Sequence, residues 1–186
     1  MLISASHLYF NGKVLDNSSI DFVTKKTSTV VEAPEFDYVI PEFVDLHCHG
    51  GGGRYFWEDV RSARHIHREN GTGIQIASLV TLDKKQTKSA VRDLAVDREI
   101  WGIHLEGPYL SPDFRGAHDE TLLRKPDISE VSELLDLAQG KIAIVTIAPE
   151  LEGALDLIRY LIQNKVIVAL GHSGADSESS KAAIDA

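Results

Sequence analysis

Beyond Pro41, short runs rich in β-branched residues alternate with longer stretches of helical periodicity. This is the signature of parallel βα units. Five strands are predicted: FVDLHCH (43–49), IQIASLVT (74–81), IWGIHLEGPYL (100–110), KIAIVTIAPE (141–150) and VIVALGHS (166–173). Helices are predicted between them at about 58–70, 84–95, 128–138 and 151–163; in the last, Leu151, Ala154, Leu155, Ile158 and Leu161 share one face. Residues 1 to about 40 read differently. HLYF and KVLD flank Asn11-Gly12, the dipeptide suited to a two-residue type I′ hairpin, and the strand-like runs IDFV and TVVEA follow. The expected organisation is a small N-terminal β-sheet subdomain over 1–40 and an α/β unit over 41–186.

Parallel βα units in series suggest a (β/α) barrel, whose active site lies at the C-terminal ends of the strands. A full barrel has eight units and typically about 250 residues. This chain offers about five units and stops in a presumed helix, ADSESSKAAIDA. An incomplete barrel is therefore expected, with exposed strand edges and apolar surface. Truncation, or completion by another chain, would account for it.

Composition narrows the picture further. With 43% hydrophobic and 25% charged residues, the chain has the make-up of an ordinary globular protein. A net charge of −9 argues against nucleic acid or an anionic membrane as the main partner, since both need clustered Lys and Arg. No basic segment precedes an apolar N-terminal core, and no apolar run reaches the roughly 20 residues of a membrane span. A cytoplasmic location is expected. The single cysteine, Cys48, excludes an intramolecular disulfide and a Cys-rich zinc site.

Chemistry concentrates where the predicted strands end. In PEFVDLHCHG, His47 and His49 lie two apart on a strand, so both imidazoles share a face while Cys48 points away into packing. Gly50 to Gly53 follow, allowing a sharp turn and an open mouth. A second His-x-His, His65 and His67, falls in a predicted helix, where residues two apart diverge by about 200°; that pair cannot chelate one ion and reads as solvated surface. Glu106 ends GIHLEG, where a carboxylate can bridge metals, and His172 closes the fifth strand. His104 would lie a layer deeper as a hydrogen-bonded core histidine. Asp45 would lie on the His47 face one layer down, in an outer-shell or buried structural role rather than as a ligand. His118, in the loop SPDFRGAH beside Arg115, could reach over the site or be solvated. The candidate metal set is thus His47, His49, Glu106 and His172. Oxygen and imidazole ligands suit Zn²⁺, Fe²⁺, Mn²⁺ or Co²⁺, and such an ion acidifies bound water and polarises carbonyls, which points to hydrolysis.

PEFVDLHCHGGGG, GIHLEGPYLSPDFRGAH, VTIAPE and VALGHSGAD together resemble the first, third, fourth and fifth strand motifs of the N-acetylglucosamine-6-phosphate deacetylases of the amidohydrolase superfamily, over their N-terminal half. The resemblance implies an amidohydrolase-type barrel. It makes Glu106 and His172 metal ligands, gives His47 and His49 a second metal, and places His118 on the substrate acetamide. One or two divalent ions, Zn²⁺ or Fe²⁺, would serve hydrolysis of an amino-sugar phosphate to glucosamine 6-phosphate and acetate. A homodimer is implied for the complete protein. Two further elements of the family pattern are absent from these residues: a His-x-x-Asn-Ala-Met-like segment supplying another ligand, and the general acid/base aspartate of the last barrel strand. Glu42 and Gly73 also depart from the pattern, at a usual glycine and threonine. Competing readings are another amidohydrolase, a cyclic amidase or deaminase, and a non-catalytic half-barrel that binds metal.

Overall fold

A computed structural model describes residues 1–30 and 33–186. They form two compact units, Met1–Phe43 and Val44–Ala186. In the first unit, β1 (Leu2–Phe10) and β2 (Lys13–Asp21) pair antiparallel from Leu2↔Asp21 to Phe10↔Lys13. Asn11 and Gly12 between them take φ of +49° and +73°, the left-handed pair that a type I′ turn requires. β3 (Lys26–Thr29) adds antiparallel to β2, and β4 (Phe36–Val39) adds parallel to β1. Ala5, Leu8 and Ile20 form this unit's small core.

The strand expected over IDFV stops at Asp21. Its carboxylate accepts the Val23 N–H at 3.0 Å and the Thr24 hydroxyl at 2.9 Å, so an Asx-type turn competes with the ladder. Of TVVEA, Thr29 ends β3, while Val31 and Glu32 lie outside the described residues.

The division between the units falls within β5 (Phe43–Cys48). A two-stranded ribbon, β6 (Gly50–Gly51) and β7 (Arg54–Tyr55), follows it and leads into α1 (Val60–Glu69). Strands and helices then alternate: β8 (Thr72–Leu79), α2 (Lys84–Val96), β9 (Gly102–Glu106), α3 (Ile128–Ala138), β10 (Ile142–Ile147), α4 (Ala154–Gln163), β11 (Ile167–Leu170) and α5 (Ser177–Ile184). The five-stranded sheet has the order β11-β10-β9-β8-β5, and the β8–β9, β9–β10 and β10–β11 pairs are parallel. These are five units of a (β/α) barrel, as the alternating pattern predicted. Its edge strands β5 and β11 leave Val44, Leu46, Ile167 and Leu170 exposed.

Local chemistry trims the predicted boundaries. Asp59, Asp83, Asp127 and Asp176 each cap a helix by accepting backbone N–H groups of its first turn, which sets the starts of α1, α2, α3 and α5. α4 begins only at Ala154 because Gly153 is left-handed, at φ +84°. β9 ends at Glu106 because Gly107 takes φ +92°. The core between sheet and helices includes Ile103 and Val145 from strands, Val91 and Leu94 from α2, Val131 and Leu134 from α3, and Leu157 and Leu161 from α4.

One buried ion pair fixes the loop that leaves β9. Arg124 grips Glu130 with two hydrogen bonds, Nη2 at 2.8 Å and Nε at 3.2 Å, and its Nη1 donates to the carbonyls of Leu82 and Leu122. The Arg124 N–H also donates to Pro108 O at 3.1 Å, closing the loop on itself. Removing the guanidinium takes both of its hydrogen bonds from a buried carboxylate and leaves it only the half-exposed Lys84 ammonium, 3.2 Å from Oε2. Arg124→Met is expected to cost about 3 kcal/mol in urea unfolding, whereas Lys125→Met, which breaks only the exposed pair with Glu152, should leave the midpoint unmoved.

Candidate metal centre

Four imidazoles converge on one carboxylate at the C-terminal edge of the sheet. Glu106, the last residue of β9, has His49 Nε2 2.9 Å from Oε2 and His172 Nε2 2.9 Å from Oε1. His118 Nε2 and His47 Nε2 lie at 3.8 and 3.9 Å from Oε2. His47 and His49 stand at and just after the end of β5, and His172 follows β11 in a left-handed conformation, φ +50°. The loop after β9 brings His118 over the site. Within this cluster, His47, His49 and Glu106 form one triplet whose ligand atoms lie within 4.8 Å of one another, and Glu106, His118 and His172 form a second. Glu106 is common to both.

The backbone decides which ring nitrogen faces the centre. His49 Nδ1 donates to Ser78 O at 3.0 Å, and His172 Nδ1 donates to Phe114 O at 3.1 Å. A carbonyl only accepts, so Nδ1 of each ring carries the proton and the neutral ring turns its Nε2 lone pair toward Glu106. Lone pairs then face a carboxylate, an arrangement that calls for a cation or extra protons between them. Metal-bound histidines are oriented in this way by their outer hydrogen bond. The donor set therefore fits a divalent ion.

His118 has the opposite polarity. Its Nδ1 accepts the Thr81 backbone N–H at 3.2 Å and lies 2.9 Å from the Thr81 hydroxyl. The proton of the neutral ring therefore sits on Nε2, aimed at the centre. Burial pushes the His118 pKa down, which keeps the ring neutral. His118 thus presents a hydrogen-bond donor rather than a lone pair.

Charge in the centre is strongly coupled. When protons rather than a cation lie between them, Nε2–H bonds to Glu106, from His49 first and then from His172, hold its pKa down at about 2 despite burial, and the Glu106 carboxylate raises that of His49. Beneath them His104 is buried, with Nε2 2.8 Å from the Thr146 hydroxyl and Nδ1 3.2 Å from His47 Nδ1 and 3.1 Å from the Ser78 hydroxyl. Burial, followed by the charge of His47, lowers its pKa to about 4. His104 therefore has the deep, hydrogen-bonded place expected of it.

Two placements differ from expectation. Asp45 does not sit beneath His47: its Oδ1 accepts the His47 N–H at 3.0 Å, and its carboxylate belongs with Cys48 and His67. His67 is not solvated surface, because its Nε2 donates to Gly50 O at 2.9 Å, whereas His65 does lie exposed and pairs with Glu69. Residues not singled out from sequence also join the site. Thr81, Tyr55 and Trp57 line a cavity of about 500 Å³ with Glu106, His118 and His172. Tyr55 and Trp57 stack at 4.2 Å between ring centroids, and the aromatic run RYFW after the glycines was the available signal. Gly107 has no room for a side chain, since a Cβ would lie 2.2 Å from the Thr81 hydroxyl that holds His118.

The fold defines a class, a barrel of the amidohydrolase type, of which the chain carries five units. Within that class the relatives are amino-sugar phosphate deacetylases. The chain is 35% identical over 162 residues to N-acetylgalactosamine-6-phosphate deacetylase of Escherichia coli O157:H7, covering 81% of this chain and 43% of that protein. It is 29% identical over 205 residues to N-acetylglucosamine-6-phosphate deacetylase of Bacillus subtilis (strain 168), covering 95% and 51%. The N-acetyl-D-glucosamine-6-phosphate deacetylase of Mycobacterium smegmatis superimposes with a TM-score of 0.91 at 34% identity, over 100% of this chain and 53% of that one; one of its solved forms is in complex with N-acetyl-D-glucosamine-6-phosphate. No family model matches the chain. The chain spans about half the length of these relatives, as an N-terminal half would.

The ring polarities are directly measurable. In ¹⁵N-labelled protein at alkaline pH, imidazole shifts should report His49 and His172 as Nδ1–H tautomers and His118 as Nε2–H. A His118 found as Nδ1–H would remove the donor from the centre.

Proposed function

We propose that this sequence is the metal-binding half of a hydrolase that removes the acetyl group of N-acetylglucosamine 6-phosphate, giving glucosamine 6-phosphate and acetate. One observation carries the proposal. Imidazoles with carbonyl-pinned Nδ1 atoms converge on the Glu106 carboxylate at the edge of a sheet that is similar throughout to deacetylases. His47, His49, Glu106 and His172 would hold one or two divalent ions, Zn²⁺ or Fe²⁺. Such an ion supplies acidified water and polarisation of the acetamide carbonyl.

The chain's own groups divide the remaining work. His118 donates its Nε2–H to the acetamide oxygen and stabilises the negative charge that develops there. Thr81 fixes that ring, and the Arg124–Glu130 pair fixes the loop carrying it. Trp57 and Tyr55 give the cavity an apolar wall that excludes water from one side of the bound sugar. Asp119 also lines the cavity, but its carboxylate is engaged by the Thr121 N–H and hydroxyl, so we assign it no proton transfer. Proton delivery to the departing amine falls, by the family resemblance, to an aspartate outside these residues.

The same proposal takes the cytoplasm as compartment and a homodimer as the assembled form, with no nucleic-acid or membrane partner. No helix of the described residues is long and apolar enough to cross a membrane. The cyclic-amidase, deaminase and non-catalytic readings are not favoured, because the relatives reported above are named amino-sugar phosphate deacetylases. One specific observation keeps a second sugar in view, since the E. coli relative is named for the galactosamine epimer.

The test is acetate release by the complete gene product from both 6-phosphate epimers. Turnover of N-acetylglucosamine 6-phosphate is expected. Preference for the galactosamine epimer would move the substrate, and no acetate from either would sink the proposal. Two substitutions separate the roles. Glu106→Gln should lose bound metal and several orders of magnitude of turnover together. His118→Gln should lower kcat about 100-fold with metal content unchanged.

A further inference from the structure

A second convergence of metal-binding atoms lies between the end of β5 and α1, built from Asp45, Cys48 and His67. One carboxylate oxygen, the sulfur and one imidazole nitrogen lie within 4.8 Å of one another. None of these groups takes part in the chemistry assigned to Glu106 and its four histidines. Their arrangement is held by the glycine loop, which presses on α1. A Cβ at Gly51 would lie 2.4 Å from the Ile66 side chain and 2.8 Å from His67 Nε2, so only glycine permits the approach.

That approach sets the polarity of His67. Its Nε2 donates to Gly50 O at 2.9 Å, which leaves the Nδ1 lone pair facing Asp45 Oδ2 at 4.0 Å. Two acceptors thus face each other with the Cys48 sulfur beside them. Asp45 Oδ1 is engaged by the His47 N–H, so the carboxylate is already oriented and offers its other oxygen. Gln75, fully buried, brings its amide to 4.0 Å from Cys48 Sγ, a polar group aimed at the same point from β8. A ring N–H pinned by a carbonyl and a lone pair turned toward a carboxylate is the outer-shell arrangement of a metal-ligating histidine.

We propose that Asp45, Cys48 and His67 form a distinct site for a zinc-class divalent cation. Tetrahedral ligation at about 2.0–2.3 Å puts ligand atoms about 3.3–3.8 Å apart, so the three need to close by at most about 1.5 Å. On binding, the Cys48 S–H bond breaks, its proton passes to solvent and a sulfur–metal bond forms, with water completing the coordination. The thiolate makes this site softer than the all-nitrogen-and-oxygen set around Glu106 and gives it a preference for zinc, cadmium or cobalt over magnesium or manganese. Occupancy would staple β5 to α1 and steady the strand end that carries His47 and His49.

The sequence supplies an unusually clean test, because Cys48 is the only cysteine. Co²⁺ is titrated into the metal-free complete gene product and followed by absorption. A thiolate-to-cobalt charge-transfer band in the near ultraviolet is expected in the wild-type protein, and Cys48 is the one thiol that these 186 residues offer it. It should vanish in Cys48→Ser with loss of about one bound equivalent, weaken in His67→Gln and Asp45→Asn, and persist in Glu106→Gln. A wild-type chain that binds Co²⁺ without this band overturns the proposal, as does a band indifferent to both His67→Gln and Asp45→Asn. Because the band is independent of Glu106 and of acetate release, failure here and failure of the deacetylase reading are separately visible.

Discussion

The Glu106 carboxylate is the group on which the arrangement of the second unit turns. It is only 9% exposed, yet its pKa is held down at about 2, because protons or a cation shared with the imidazole nitrogens around it offset its charge. A buried anion without such partners would be strongly unfavourable. The partners come from β5, from the loop after β9 and from the turn after β11, so satisfying one side chain holds together three places widely separated in sequence. The parallel sheet makes this possible, since it delivers the C-terminal ends of its strands to one edge.

What the side chains can do at that edge is decided by the backbone beneath them. Ser78 O and Phe114 O each accept a ring N–H and so turn lone pairs inward at His49 and His172. The Thr81 N–H does the reverse to His118 and turns a donor inward. Histidines of identical intrinsic chemistry therefore divide into lone-pair donors and a hydrogen-bond donor by which main-chain group each one meets. Gly107 belongs to the same device. Its missing side chain leaves the space in which the Thr81 hydroxyl meets His118.

Much of this was legible beforehand and some was not, for physical reasons. The five strands and their helices showed in the alternation of β-branched runs with helical periodicity, because burial on both faces of a parallel sheet imposes it. Their boundaries did not show, since Asp caps, Gly153 and Gly107 set them by hydrogen bonding and left-handed geometry rather than by hydrophobicity. At the site, His47, His49, Glu106 and His172 stood out because strand ends are where chemistry collects. The polarity of each ring was invisible, because it depends on carbonyls brought in from β8 and from the loop after β9. His67 was misplaced for a related reason. Helical spacing correctly separates it from His65, but only the close approach of Gly51 to α1 takes it out of solvent.

The end of β5 contributes to two sets of candidate metal ligands within five residues. His47 and His49 project to the Glu106 side, while Asp45 and Cys48 gather with His67 against α1. Alternation along a strand separates His47 and His49 from Cys48. Asp45 leaves the His47 face because its carboxylate bonds to the next backbone N–H but one, a local contact that overrides the strand's period. The consequence is a strand whose two sides differ in donor softness: nitrogen and carboxylate oxygen toward the Glu106 cavity, and sulfur toward the helix layer. A single soft cation then has a reason to choose the helix side. On the proposed function, a harder or borderline ion that activates water has a reason to choose the cavity, where Glu106 is common to both ligand triplets and open space adjoins them.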